Sequence, residues 1–173
     1  MSRDLASRIR EAALLEGDFV LSSGQRSSFY VDKYLFSTEP DLLRDVAAAL
    51  SRELPDGVER LAGVELGAVP LVVAMALVTG LPYVIVRKSA KGYGTGRGIE
   101  GNLESGERVA LIEDVVTTGT QAVQAARSLA EAGAEVVSIV AVLDRREVPK
   151  EMLEEFSFAA LLRIEDLRVP NED

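Results

Sequence analysis

The chain has 173 residues, 47% of them apolar, and a formal net charge of −9. That suits one domain with a sizeable core, and it argues against nonspecific nucleic-acid binding, which needs a basic face. Cysteine and histidine are both absent, which excludes disulfides, thiolate nucleophiles, imidazole metal sites and histidine triads, so any general acid or base must be Asp, Glu, Lys or Tyr. No apolar run approaches the roughly 20 residues that cross a bilayer. The opening residues 1–8 are charged and periodic and lack the apolar core of a signal peptide. A cytoplasmic protein with no membrane and no nucleic-acid partner is expected.

In chain order, the spacing of Leu5, Ile9, Ala12 and Ala13 predicts an amphipathic helix ended near Gly17. Phe19–Leu21 and Ser28–Asp32 read as short strands flanking Ser-Gly. Pro40 stands at a first helical position, and Leu42, Leu43, Val46, Ala47 and Leu50 carry a helical period that stops before Pro55-Asp-Gly57. Leu61–Glu65 is a short strand, and Gly67-Ala-Val-Pro70 turns into an apolar helix ending at Gly80. Tyr83–Val86 reads as a buried strand and residues 87–106 as a long glycine-rich excursion. Val109–Asp114, the helix Gly119–Ala132 and Val136–Leu143 form a strand–helix–strand unit, with Gly133 at the helix end. The acidic remainder from Pro149 reads as a peripheral helix and an edge strand. Strands alternating with helices call for an α/β fold, a mostly parallel sheet flanked by helices with right-handed crossovers.

Two glycine-rich stretches need separating. Gly96-Arg-Gly-Ile-Glu-Gly101 fits the dinucleotide pattern G-x-G-x-x-G by its letters. That pattern should follow a strand and open a helix. Here a charged loop precedes it and a turn-like segment follows, so no nicotinamide site is expected. The informative stretch is residues 108–121, in which an apolar run ends in Glu113 and Asp114 and is followed by Val115, Val116, Thr117, Thr118, Gly119, Thr120 and Gln121. It reads as a buried strand, an acidic strand end, a small-residue loop and a helix start. Backbone N–H groups at such a helix start favour a phosphate, although the same donors would serve a plain helix cap. Carboxylates just before them suit the hydroxyls of a sugar carrying that phosphate, although alone they would read as strand-end caps. Arg87, Lys88, Lys91 and Arg97 lie within eleven residues that hold no acid. Such a run is either a solvated loop or the cation cluster that an anionic ligand needs.

The run Val109–Gln121 resembles the phosphoribosyl-diphosphate (PRPP) motif of type I phosphoribosyltransferases. Phe19–Lys33 resembles the N-terminal signature of the orotate branch of that family. Arg87–Gly94 is similar to its mobile catalytic loop, and Asp144–Glu147 adds a fourth match in the same order. The resemblance implies a type I phosphoribosyltransferase fold in a single domain spanning 1–173. A small N-terminal hood would come mainly from residues 1–35 and a PRPP-binding core from about 40–145. It implies transfer of phosphoribosyl from PRPP to orotate, giving orotidine 5′-phosphate and diphosphate in pyrimidine biosynthesis. The alternatives are a type I enzyme for another base and a noncatalytic PRPP-binding regulator on the same scaffold.

By the same resemblance, Glu113 and Asp114 hold the ribose hydroxyls and favour positive charge on the ring. Val115, Val116, Thr117, Thr118, Gly119, Thr120 and Gln121 cradle the 5-phosphate. Arg87, Lys88, Lys91 and Tyr93 serve the diphosphate, Lys91 foremost among them as a catalytic cation. Thr117 and Arg145 face orotate, whose carboxylate suits a guanidinium. Residues 63–70 stand where the family keeps its diphosphate-binding loop, or are a plain strand-to-helix connection. Mg²⁺ is implied, carried by PRPP oxygens and water rather than by a protein cage. A homodimer is implied too, with the basic loop reaching across the interface. The chain departs from the family pattern at Glu113 (commonly Asp), at Tyr93 (often His) and at Ser22 (often basic).

Overall fold

The computed structural model describes residues 3–20, 24, 26–88, 98–146 and 155–168. The elements are α1 (Arg3–Ala13), β1 (Leu14–Val20), β2 (Arg26–Val31), α2 (Lys33–Ser37), α3 (Pro40–Ser51), β3 (Arg60–Val64) and α4 (Val69–Thr79). They continue with β4 (Tyr83–Val86), β5 (Ile99–Glu100), β6 (Arg108–Val116), α5 (Thr120–Glu131), β7 (Glu135–Asp144), β8 (Phe158–Arg163) and α6 (Ile164–Arg168).

Strand β6 explains why the sheet is covered on both sides. Val109 and Leu111 are buried with α5, while Ala110 and Ile112 are buried with α1, α3 and α4. Alternate side chains of one strand thus feed two apolar layers, as parallel sheets require. The six-stranded sheet runs β5–β4–β3–β6–β7–β8. Its strands are parallel except for the antiparallel edge pair β4–β5. From β3 the chain crosses by α4 to β4; from β6 it crosses by α5 to β7, on the other face and in the other direction. The order therefore switches between β3 and β6, and the crevice at their carboxyl ends is where open α/β sheets take ligands. A separate antiparallel pair, β1–β2, joins α1 and α2 at the N-terminal side. Leu5 and Ile9 of α1 and Ile164 and Leu167 of α6 enter the same apolar layer as α3 and α4.

The first predicted helix is corrected by the structure. It stops at Ala13, and Gly17 lies inside β1, where the β1–β2 register shifts between Glu16 and Phe19. Gly17 belongs to a strand irregularity, the other common use of an isolated glycine. The strand expected over Val109–Asp114 runs on to Val116, because Val115 and Val116 pair with Leu143 and Asp144. The excursion after Tyr83–Val86 contains β5, and Arg87 N–H donates to the Gly98 carbonyl at 2.8 Å. Among the described residues of the C-terminal part, the edge strand β8 is followed by the short helix α6. Gly101 opens no helix, and the segment after it is irregular until β6.

Candidate active site

The carboxyl end of β6 delivers its side chains straight into the crevice. Gly119 takes φ 80°, a conformation that favours glycine, and forms the N-cap of α5 without any side-chain cap hydrogen bond. Thr118 and Thr120 hydroxyls lie 3.0 Å apart over that turn. The Thr118 hydroxyl accepts the Thr120 N–H at 3.4 Å, and the start of this 12-residue helix has no cap bond from its N-cap residue, beside exposed Thr117, Thr118, Thr120 and Gln121. Helix-dipole charge and first-turn donors favour an anion there.

Glu113 and Asp114 lie near the carboxyl end of β6 and are 6% and 4% exposed. Asp114 is held on both oxygens. Oδ1 accepts the Val115 N–H at 2.6 Å, and Oδ2 lies 2.7 Å from Lys33 Nζ. Gly67, on the turn between β3 and α4, lies directly against this carboxylate; a Cβ there would overlap Asp114 Oδ2. The need for glycine is thus steric, and it ties the β3–α4 turn to the site. Burial depresses the Lys33 ammonium, but the hydrogen bond and charge of Asp114 outweigh it and leave its pKa raised.

Charge in the pair is unevenly shared. Burial, followed by the charge of Asp114, pushes Glu113 up to about 8, so at neutral pH it is mostly a protonated acid. This neutral partner has a measurable consequence. A carboxyl whose folded pKa lies above its unfolded value holds its proton in the fold after the unfolded chain has released it. Its contribution to stability is complete below the unfolded pKa and falls as pH rises toward 8. Glu113→Gln keeps the shape and cannot ionise. The variant should melt higher than the parent at pH 8 and no higher at pH 4, by calorimetry at both pH values. Equal shifts at the two pH values would contradict the assignment.

Glu65 opens the turn that follows β3. Its Oε1 accepts the Lys88 N–H at 2.7 Å and its Oε2 lies 3.8 Å from Arg87. Arg87 also approaches Glu100 at 3.8 Å. The Glu65 charge is thus turned onto the base of the basic segment. Lys91 and Tyr93 lie outside the described residues.

At the other end of the crevice, Arg145 N–H donates to the Val116 carbonyl at 2.8 Å, which sets Arg145 beside Thr117. Its neighbour Arg146, not Arg145, forms the fork with Asp144, at 2.9 and 2.7 Å, and lies over Phe158. Arg145 is half-buried; burial lowers its pKa, and its guanidinium lies 5.9 Å from the ring centroid of Phe29 on β2. Arg168 approaches the same ring at 4.8 Å.

Residues 38–160 match the family described as the phosphoribosyl transferase domain. The orotate phosphoribosyltransferase of Haloquadratum walsbyi is 45% identical over 99% of this chain and 95% of its own. The crystal structure of the Mycobacterium tuberculosis orotate phosphoribosyltransferase is 30% identical, covers 96% of this chain and 98% of its own, and superposes with a TM-score of 0.85. A structure of that enzyme in complex with PRPP aligns over the same shares at 26% identity, with a TM-score of 0.80. The chain belongs to the phosphoribosyltransferase family, in its orotate branch.

As a member of that branch, the chain brings together at one crevice the strand end Glu113–Asp114, the threonine loop, Arg87, Lys88 and Arg145. Two residues near this crevice had no assigned place in the sequence reading. Lys33 stands within the N-terminal signature but 81 positions from Asp114, and nothing local announces their pairing. Arg168 lies in the acidic tail, where only the fold brings it to Phe29.

Proposed function

We propose that this chain transfers the 5-phosphoribosyl group of PRPP to orotate. The bond from ribose C1 to diphosphate breaks and diphosphate leaves with the electron pair. A ring nitrogen of orotate forms the new bond to C1 and releases its proton. The observation that carries this reading is the juxtaposition of a buried Asp114 paired with Lys33, a glycine-opened α5 start and a half-buried arginine not engaged by Asp144. The α5 start would hold the 5-phosphate, and Asp114 and protonated Glu113 the ribose hydroxyls. Asp114 supplies fixed negative charge where the ring becomes cationic. Arg87, Lys88 and Lys91 would neutralise the leaving diphosphate, with Tyr93 donating a hydrogen bond to it.

Mg²⁺ belongs to this reading as a cation carried by PRPP. Among the described residues no three acidic side chains converge as a protein cage would need, and the Asp114 charge is already matched by Lys33. Such a cation, bound mainly by phosphate oxygens and water, would neutralise charge on the diphosphate. A cytoplasmic location goes with the same reading. No helix among the described residues is long and apolar enough to cross a membrane.

Base choice is the part of the reading most open to test. Arg145→Ala should weaken orotate binding at least tenfold, the loss of a charge-assisted contact, and should leave PRPP affinity within about threefold. Equilibrium titrations with each ligand measure both. Equal losses would make Arg145 a structural residue.

The proposed homodimer draws support from the surface beside the site. Helix α4 is apolar on all sides and leaves Leu77 84% and Val78 49% exposed. Apolar exposure of this kind suits a covered face. If Lys91 acts on the partner's site, mixing Lys91→Ala with Asp114→Asn subunits gives dimers with one intact site, and activity returns after subunit exchange. Action within one subunit leaves every site damaged and the mixture inactive.

A further inference from the structure

Asp114 is clamped by groups from three separate segments. Val115 N–H holds Oδ1, Gly67 closes one side, and Lys33 from the first residue of α2 holds Oδ2. The Lys33 side chain is 32% exposed and that of Asp114 only 5%, so an ammonium at the rim is directed inward onto a buried anion. Asp32 caps α2 by accepting the Tyr34 N–H at 3.0 Å, which fixes where Lys33 begins its reach. Two other charged groups act on the same spot. Glu113 adjoins Asp114 on β6, and the Lys88 charge reaches Glu113 from the end of β4. Glu65 is turned away toward Arg87 and Lys88.

We infer that Lys33 is a positioning residue of the transfer reaction, a hood residue that fixes the Asp114 carboxylate in orientation and matches its charge so that it faces the ribosyl ring. It touches Asp114 rather than the reacting atoms. A carboxylate left without this cation would be free to turn, which takes the anion away from the ring at the moment the ring becomes cationic. Binding of PRPP through its phosphates would change little, because those contacts lie on other elements.

The inference rests on the proposed transfer reaction, so the unaltered protein is assayed first. If it consumes no orotate, that reading fails and Lys33 is not at issue. Given an active parent, Lys33→Met should lower kcat by about 10–10²-fold, the scale of a lost electrostatic support. KM for PRPP should move less than about threefold. Lys33→Arg should recover most of the loss. In an Asp114→Asn background Lys33→Met should cost almost nothing further, since the two residues act as one unit. Three results would overturn the inference: unchanged kcat, the same fold loss in both backgrounds, or a lower KM for PRPP at constant kcat. The last would make Lys33 a placeholder that PRPP displaces.

Discussion

Replacing Asp114 with asparagine slows turnover by about 10²–10³-fold, the range for removing one preorganised electrostatic contact. The substitution keeps the size of the side chain and its Oδ1 acceptor for Val115 N–H, but removes the charge. The neighbouring Glu113 is a poor substitute, because burial, the larger cause of its raised pKa, remains in the variant. Loss of the Asp114 charge also leaves the Lys33 ammonium without its anion. Part of the effect therefore falls on stability, and melting curves should be recorded beside the rates. Most of the kinetic loss should appear in kcat, since the charge matters most when the ring is cationic. An unchanged kcat would reduce Asp114 to a strand-end cap.

Gly119→Val attacks the phosphate end of the same crevice. Gly119 sits at φ 80°, and a β-branched side chain there is strained by about 1–2 kcal/mol. Relief of that strain rotates the peptide units that open α5 and scatters the N–H donors they present. PRPP affinity should fall at least about tenfold, the equivalent of one charge-assisted hydrogen bond. Calorimetric titration measures the loss. Gly119→Ala, strained but unbranched, should fall between the parent and valine. Retained PRPP affinity in Gly119→Val would place the 5-phosphate elsewhere.

The periodic parts of the fold were legible from sequence because their signals are local. Tyr83–Val86 is the strand it reads as, and Pro40, Gly80 and Gly133 punctuate helices where expected. What failed was the reading of signals with two meanings. Gly17 looks like a helix stop and lies instead in a strand paired with β2. Helix α2 has five residues, too few to show a period, and only Asp32 as an N-cap could have announced it. At the site, residues 113–121 share one strand end and one loop, so their grouping followed from their order. The Lys33–Asp114 pair and the choice between Arg145 and Arg146 depend on how distant segments meet. Glu113 looked like the equal of Asp114; both are buried, and what sets them apart is that Lys33 and the Val115 N–H hold Asp114 while burial pushes Glu113 up.

The most direct test of the account is the absorbance of orotate followed with and without PRPP and Mg²⁺, with uracil, hypoxanthine and adenine as competitors. The account predicts that orotate is consumed only when PRPP and Mg²⁺ are both present, that diphosphate appears in equal amount, and that the other bases neither react nor compete. Consumption of another base while orotate is untouched would contradict the assignment of Arg145, and PRPP binding with no base consumed would contradict catalysis altogether.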